Sequence, residues 1–365
     1  MAAAGIWILV IAVLAAIGIA VARTMTQRRA NRHRGSDEGQ TVPTTDAAAG
    51  LNADTDQQRI GRWIVEREIA RGAMGTVWLA RQPESGAPAA IKTLFLGAES
   101  ESDARVRFRR EVGIAQKLLH PDIVRVFEAA ESGASAWIAM EYVPGRDLSR
   151  FTKPGNLLAL PVVVHIGRRV ALALAYAHER GVVHRDIKPA NILVDLATDT
   201  IKISDFGIAH LSDGARSRSG QIIGTPSYMA PEQLAGSRAD ARSDVYALGA
   251  MLFQLIAGRL PHAADSMARL LAAIANEDAP NLGALRPDVP PALADVVALA
   301  LQRRSEMRYA SAQQLADDLL VVEQMFDQPS REFDHAAALP DRNGERDTDA
   351  TPLKDADPRH NAERQ

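Results

Sequence analysis

The sequence predicts an α+β protein with a strand-rich first lobe and a helix-rich second lobe, preceded by one transmembrane helix. Three observations support this prediction. Between residues 60 and 143, apolar runs of strand length are separated by turns rich in Gly, Pro and Ser, which is the pattern of short strands. From residue 157 onward the apolar residues recur at helical spacing. Finally, residues 1–22 contain no charged side chain.

Residues 1–22 are predicted to cross a membrane once. As a helix this segment would rise about 33 Å, enough to cross a hydrocarbon core of about 30 Å. Five arginines lie between residues 23 and 34, and the positive-inside rule therefore places the N-terminus outside and the rest of the chain in the cytoplasm. A cleaved signal peptide is the alternative. Against it, no basic n-region precedes the apolar run, and the run is long.

The remaining chain divides into a linker, a domain and a tail. Residues 23–59 are a basic juxtamembrane segment and flexible linker without apolar periodicity, and residues 329–365 are a polar tail predicted to be disordered. The domain spans residues 60–328. The formal net charge of −3 gives no indication of a basic nucleic-acid-binding face. The absence of cysteine excludes disulfides, thiolate nucleophiles and cysteine-bound metals.

Within the domain, each element is predicted from its apolar pattern. Strands are predicted at WIVEREIA (63–70), GTVWLARQ (75–82), PAAIKTLFL (88–96) and ASAWIAMEYV (134–143). A helix is predicted at residues 105–119, where the apolar residues with near-helical spacing are Val106, Val112, Ile114, Leu118 and Leu119.

Two further helices are predicted in the second lobe. Residues 161–181 have a helical period, and Gly181 is placed to cap the C-terminus. The run VYALGAMLFQLIAG (245–258) is too short to cross a bilayer, so it predicts a buried core helix.

The segment IARGAMGTVWLA (69–80) contains Gly72 and Gly75 before an alternating apolar run. Two glycines in a loop fit either a plain hairpin turn or a backbone cradle for phosphates. This segment alone does not decide between the two interpretations.

The chemistry is indicated by VVHRDIKPANILV (182–194) and IKISDFGIA (201–209). Each combines a short apolar strand with polar residues, among them Asp186, Asn191 and Asp205. A carboxylate can accept the proton of an attacking hydroxyl, and a carboxylate with an amide oxygen suits magnesium that also binds phosphate. Lys92, in a strand of the other lobe, could contact phosphate oxygens as a point charge. Single residues of these types in loops are usually turn formers, but that explanation does not account for their joint order.

Together these motifs resemble those of bacterial eukaryotic-like (Hanks-type) serine/threonine protein kinases, over residues 60–327. The resemblance implies the two-lobed protein-kinase fold, with ATP and Mg²⁺ (or Mn²⁺) as cofactors. It implies that Asp186 orients the substrate hydroxyl and that Lys188 steadies the transferred phosphoryl group. It also implies that Asn191 and Asp205 hold the metal.

The resemblance further implies an ATP site between the lobes. Lys92 would contact the α- and β-phosphates, with Glu111 as its partner on a helix, and Met140 would be the gatekeeper before a hinge that binds adenine. The implied ATP-binding residues are Ala70, Gly72, Gly75, Val77, Ala90, Lys92, Met140, Glu141 and Val143.

Ala70 departs from the family pattern, since the first loop glycine of the family falls at this position. If the position required a positive φ, alanine would cost about 1–2 kcal/mol. As an ordinary strand residue it would cost little.

A second group of motifs concerns protein substrates. GTPSYMAPEQ (224–233) resembles the substrate-docking loop of the family. Glu232 in this loop is expected to pair with Arg308, and Asp244 is expected to hold the catalytic loop. Lys188 and Thr225 are typical of kinases that act on serine and threonine.

Arg185, directly before Asp186, is typical of family members that are activated by phosphorylation of the loop after Asp205. That loop contains Ser212, Ser217 and Ser219. Of these, Ser217 and Ser219 fall where related kinases carry phosphate. The alternative is that both are ordinary polar loop residues.

The sequence therefore predicts a serine/threonine protein kinase in the inner membrane that transfers the γ-phosphoryl group of ATP to protein hydroxyls and phosphorylates itself. The predicted partners are ATP, cytoplasmic protein substrates and the membrane, with no nucleic acid. Related kinases often dimerise through the first lobe, so a homodimer is included among the partners. The alternative, motivated by Ala70, is a pseudokinase scaffold that binds nucleotide or a partner without turnover.

Overall fold

The computed structural model of the chain describes residues 58–72, 75–95, 101–132, 135–206 and 226–327. Several sequence predictions concern residues outside these ranges: the membrane helix 1–22, nearly all of the linker, Ser217, Ser219, Thr225 and the tail 329–365.

An antiparallel sheet forms the first lobe. Its strands are β1 (Arg59–Ile60), β2 (Trp63–Gly72), β3 (Gly75–Arg81), β4 (Pro88–Phe95), β5 (Val126–Ser132) and β6 (Ser135–Glu141). They form a six-stranded sheet in the order β1-β2-β3-β4-β6-β5, with every neighbouring pair antiparallel. Each of the four strands predicted from alternating or continuous apolar runs has a counterpart in this sheet.

Helix α1 (Glu101–Ala115) packs on one face of this sheet. Phe108 and Val112 of the helix contact Leu94 of β4 and Ile138 of β6, whereas Ile91 of β4 belongs to the opposite face. The alternation follows from the two-residue period of a strand. Lys92, two residues before Leu94, therefore lies on the helix-covered face.

The predicted boundaries of this first helix were partly wrong. The helix ends at Ala115, so Leu118 lies in the turn that follows it, where its side chain is buried. Val106 and Leu119 are 60% and 61% exposed and are not part of the apolar face. The spacing of apolar residues continued past the helix because the next turn also buries a leucine.

The second lobe is mainly helical. Its helices are α2 (Leu160–Glu179), α3 (Pro231–Leu234), α4 (Ala241–Ala257), α5 (Met267–Asn276), α6 (Leu282–Leu285), α7 (Pro291–Ala300) and α8 (Ala312–Asp327). Strands β7 (Arg146–Asp147), β8 (Ile192–Asp195) and β9 (Thr200–Ile203) form a three-stranded sheet in that order.

The core of this lobe surrounds α4, whose residues from Ser243 to Phe253 are all buried. The predicted core helix at 245–258 is confirmed. Helix α2 ends as predicted, because Gly181 has a φ of 72° and its amide donates to the carbonyl of His178. Among the described residues, α2 is the one helix long and apolar enough to cross a membrane, and 56% of its most apolar window is buried in this core.

The two lobes are also joined by backbone hydrogen bonds beside the chain connection. The amide of Val124, just before β5, donates to the carbonyl of Ile203 at 2.9 Å. The amide of Ile203 in turn donates to the carbonyl of Asp122 at 2.8 Å. These bonds fix the end of β9 against the first lobe, and the residues that follow β9 therefore enter the space between the lobes.

Candidate active site

Three polar side chains converge in the loop between α2 and β8. The ammonium group of Lys188 lies 2.8 Å from Oδ2 of Asp186. The amide nitrogen of Asn191 donates to the main-chain oxygen of Asp186 at 2.7 Å and to its Oδ2 at 3.0 Å. The 3₁₀ turn Pro189–Asn191 brings Asn191 back beside Asp186. The structure thus brings these three predicted site residues together.

A buried carboxylate fixes the conformation of this loop. Asp244, in the first turn of α4, is fully buried. It accepts hydrogen bonds from the amides of His184 and Arg185, both at 2.7 Å, and from Nε2 of His178 at 2.8 Å. Arg185 has a φ of 69°, so these bonds stabilise an uncommon backbone conformation. The expectation that Asp244 holds the loop is confirmed.

His184 was not assigned a role from the sequence, yet it connects the two motif segments. Its Nδ1 accepts from the amide of Asp186 at 3.2 Å, so the ring proton is on Nε2, which donates to the carbonyl of Ser204 at 2.9 Å. Its ring also contacts Phe206 edge to face, with centroids 4.6 Å apart. The signal was its place between the apolar pair Val182 and Val183 and the charged pair Arg185 and Asp186.

Lys92 and Asp205 meet across the two lobes. The ammonium group of Lys92 donates to Oδ1 of Asp205 at 2.6 Å, and the side chains are 10% and 28% exposed. The carboxylate that Lys92 contacts in this structure is thus Asp205, whereas the family resemblance implies Glu111 as its partner. Glu111 lies on α1, which packs on the same face of the sheet as Lys92.

An apolar patch lies beside this ion pair. Ala90, Val124 and Met140 are buried together, and the partly buried residues packed on them are Val77, Val143 and Leu193. The sequence prediction included four of these six residues and missed Val124 and Leu193. Leu193 lies on the short strand β8 and Val124 in the segment before β5, and only the tertiary fold shows which face each side chain occupies.

The two loop glycines are paired opposite each other at the turn between β2 and β3. Gly75 has a φ of 144°, and a Cβ on it would lie 1.7 Å from the carbonyl oxygen of Thr93. Ala70 pairs with Val77 within β2 and β3 and does not have a positive φ. Alanine at this position therefore carries no backbone strain.

The oxygen atoms near Asp186 fit a divalent metal bound together with phosphate. Asn191 donates two hydrogen bonds to Asp186 through Nδ2, which leaves its Oδ1 available as a metal ligand. Among the described residues, no group of three or more His, Cys, Asp or Glu side chains could hold a metal alone. Mg²⁺ usually takes one or two protein oxygens and completes its shell with phosphate and water, so two ligands are sufficient.

The docking-loop residues form the expected ion pair. Arg308, whose side chain is fully buried, donates from both terminal nitrogens to Glu232, at 2.7 and 2.8 Å. Burial, the largest single effect, raises the pKa of the Glu232 carboxyl. The hydrogen bonds from Arg308, from a backbone amide and from Ser243, together with the charge of Arg308, outweigh it and hold this pKa below its ordinary value. The predicted partnership is confirmed.

Comparison with known proteins agrees with this arrangement. A family model described as "Protein kinase domain" matches residues 63–321. Serine/threonine-protein kinase PknJ of Mycobacterium tuberculosis is 38% identical over 258 residues, which is 69% of this chain and 44% of that protein. Serine/threonine-protein kinase pkn3 of Myxococcus xanthus is 38% identical over 307 residues, covering 78% of this chain and 56% of that protein.

The solved structures include a similar domain. The crystal structure of the Mycobacterium tuberculosis PknI kinase domain matches with a TM-score of 0.59 and 32% identity, over 74% of this chain and 99% of that one. This chain spans about half the length of the curated relatives it matches. Given the family match over residues 63–321 and the site geometry, the chain belongs to the protein kinase family.

Proposed function

We propose that this chain is a membrane-anchored serine/threonine protein kinase that transfers the γ-phosphoryl group of ATP to protein hydroxyls, including its own. The observation that carries the proposal is the 2.6 Å contact between Lys92 of the first lobe and Asp205 of the second. It places a cation and a metal-binding carboxylate in the same space. Relatives named as serine/threonine kinases support the substrate class.

The four polar site residues of the second lobe have distinct tasks in this proposal. Asp186 accepts the hydrogen bond of the attacking hydroxyl and orients it, and Lys188, 2.8 Å away, offsets the negative charge beside it. Asn191 and Asp205 provide the oxygen ligands for a divalent ion. When bound, ATP supplies the phosphoryl group, and Mg²⁺ or Mn²⁺ neutralises its charge.

Nucleotide binding gives new partners to charged groups of both lobes. Lys92 and Asp205 neutralise each other in this structure, whereas the proposal needs Lys92 on the phosphates and Asp205 on the metal. Lys92 then takes Glu111 of α1 as its carboxylate partner. The apolar patch of Ala90, Val124, Met140, Val77, Val143 and Leu193 offers a surface for the purine ring.

The pseudokinase alternative depended on a cost at Ala70. Its φ is not positive, so the physical reason for a defective phosphate loop is absent. The glycine that approaches phosphate most closely, Gly72, is open on the side where a Cβ would project. Catalytic turnover is therefore the better-supported function.

We also propose that residues 1–22 anchor the chain with residues 60–328 as the cytoplasmic kinase domain, between a linker and a polar tail. The apolar length and the arginines that follow support the anchor. Phosphorylation of Ser217 or Ser219 is proposed to activate the enzyme through Arg185. The support is that Nε of Arg185 is buried and has no hydrogen-bond partner among the residues that the structure describes.

The kinase proposal is tested by phosphotransfer from labelled ATP with a divalent ion and a generic basic protein. The purified full-length chain should label itself and the added protein. Lys92→Met and Asp186→Asn should each lower the rate by at least about a thousandfold, because each removes a charge that acts in the transition state.

Lys153→Met serves as the matched control, because Lys153 is exposed and outside the site. It should label at the parent rate. Normal labelling by either site variant, or no labelling by the parent protein, would show that the proposed roles are wrong.

A further inference from the structure

A second ion pair joins the lobes beside the apolar patch. The ammonium group of Lys202 lies 2.7 Å from Oε1 and 2.9 Å from Oε2 of Glu141. The main-chain amide of Arg125 donates to Oε2 of Glu141 at 3.1 Å, and the amide of Glu141 donates to the carbonyl of Arg125 at 2.8 Å. The Glu141 carboxylate is therefore held by the second lobe through Lys202 and by the first lobe through Arg125.

Both members of this ion pair adjoin the proposed nucleotide site. Glu141 is the last residue of β6 and directly follows Met140 of the apolar patch. Lys202 is paired in register with Leu193 of the same patch. Asp205 follows three residues later, which corresponds to roughly 10 Å of extended chain. The ion pair thus connects the adenine end of the site with the segment that bears the metal-binding carboxylate.

Nucleotide binding uses the charged groups of the Lys92–Asp205 pair but not those of the Glu141–Lys202 pair. The proposal assigns Lys92 to phosphate and Asp205 to the metal, so nucleotide binding gives both groups new partners. Neither charged group of Glu141 or Lys202 is needed by the nucleotide, since the predicted hinge contacts at residue 141 are made by the backbone. Their side chains are 30% and 15% exposed, so the ion pair is shielded enough from water to constrain geometry.

Backbone hydrogen bonds constrain the same region. The amide of Val124 donates to Ile203, and the amide of Ile203 donates to Asp122. These backbone bonds fix β9 to the segment before β5, and Arg125 continues that segment to Glu141. With the ion pair formed, β6, the segment 122–125 and β9 are cross-linked into one unit.

We propose that Glu141 and Lys202 are positioning residues that set the distance between the adenine hinge and Asp205, and so determine nucleotide affinity. The inference rests on the proposed function in taking a metal–nucleotide as the ligand. It assigns to the Glu141 side chain a task separate from the backbone contact of the hinge. Neither side chain touches the reacting atoms, so the effect is on binding rather than on the transfer step.

The test uses the full-length chain and three variants: Lys202→Met, Glu141→Gln and the charge reversal Glu141→Lys with Lys202→Glu. The dissociation constant of Mg–ADP is measured by titration calorimetry, and KM for ATP and kcat are measured in the transfer assay. Each single variant should weaken ADP binding and raise KM about tenfold, equivalent to about 1.4 kcal/mol. The value of kcat should stay within about twofold, because no transition-state contact is removed.

The charge reversal separates a specific ion pair from two unrelated roles. It should restore the ADP dissociation constant to within about threefold of the parent value, as a coupled pair requires. Lys153→Met, an equivalent change at an exposed lysine, should bind ADP like the parent. Thermal unfolding of each variant shows whether the fold is retained, and Glu141→Gln preserves the side-chain shape if Lys202→Met does not fold.

Two outcomes would overturn the inference: single variants that bind Mg–ADP as tightly as the parent, or a charge reversal that binds no better than either single variant. The calorimetric measurement involves no turnover. A parent protein that binds Mg–ADP but transfers no phosphate would contradict the kinase proposal, and the ADP series would still decide the role of Glu141 and Lys202.

Discussion

At the scale of single residues, Arg185 combines a strained backbone conformation with a buried Nε that lacks a hydrogen-bond partner among the described residues. Its φ of 69° is in the left-handed region, which costs an ordinary residue about 1–2 kcal/mol. Asp244 offsets this by accepting the Arg185 amide at 2.7 Å. Within the described ranges the buried Nε of Arg185 has no hydrogen-bond partner, and such groups normally destabilise a fold. An anion on the segment after Asp205 would satisfy it, and this is the residue-level argument for the proposed activation by phosphorylation.

This leads to a prediction for the serines of that loop. Replacing both Ser217 and Ser219 by alanine should lower the rate of phosphotransfer to an added protein by about tenfold or more, because no phosphate then pairs with Arg185. In an Arg185→Ala background the same double replacement should change the rate little. The measurement is the initial rate, combined with mass spectrometry of the loop.

Ser212→Ala is the matched control, since this serine belongs to the same sequence segment but is closer to Asp205 along the chain. It should leave the rate unchanged. If the double alanine variant reacts at the parent rate, or loses as much activity without Arg185 as with it, control through Arg185 is wrong.

At the scale of elements, the sequence predicted what depends on local pattern. Strands β2 to β4 follow from alternating or continuous apolar runs, and α4 follows from its length and apolarity. The boundaries of α1 did not follow, because a buried leucine in the next turn continues the apolar spacing. The pattern of side chains along a segment records burial, and burial does not require that the helix continues.

Ion-pair partners were predictable only where the family motif specifies them. The Glu232–Arg308 pair joins residues 76 positions apart and was expected from the motif. The contact between Lys92 and Asp205 was not expected, because the motif assigns Glu111 to Lys92 and only the arrangement of the lobes brings Asp205 to it. The Glu141–Lys202 pair links residues 61 positions apart, and no local pattern in either strand indicates the other.

The β2–β3 hairpin allows stability and phosphate binding to be separated. Gly75→Ala should destabilise the first lobe strongly, because its Cβ would lie 1.7 Å from the carbonyl oxygen of Thr93. Gly72 has nothing within 4 Å of an added Cβ, so Gly72→Ala should retain the parent unfolding temperature. It should nevertheless raise KM for ATP several-fold, since a methyl group would obstruct the approach of phosphate to the backbone. The measurements are thermal unfolding and KM.

Gly72 and Gly75 thus act as controls for each other. A Gly72→Ala variant with unchanged KM for ATP would mean that the hairpin is only a turn and not a phosphate cradle. Unchanged thermal stability of Gly75→Ala would mean that the strand pairing at Thr93 differs from that described here.

At the scale of the whole molecule, the described domain places its reactive groups on separate lobes. Lys92 belongs to the first lobe, and Asp186, Asn191 and Asp205 belong to the second. Besides the chain connection, the contacts near the site that bridge the lobes include the backbone bonds at Ile203 and the two ion pairs. Small changes in the relative position of the lobes therefore change the distances between the residues to which the proposal assigns phosphate, metal and substrate.

Also at the scale of the whole molecule, the apolar residues 1–22 predict that the kinase acts at a membrane. If residues 1–22 form a membrane helix, the full-length chain should stay with membranes after high-salt and alkaline washing, because burial of about 20 apolar residues exceeds any electrostatic attachment. Deleting residues 2–22 should release an enzyme with unchanged kcat on a soluble protein. A protease added to intact spheroplasts should leave the domain uncut and should cut it after lysis, as the positive-inside rule requires.

A mature protein whose first residue lies after residue 22 would instead establish a cleaved signal peptide. The domain would then be exported to a compartment without cytoplasmic ATP, and that single result would contradict both the anchor and the proposed cytoplasmic substrates.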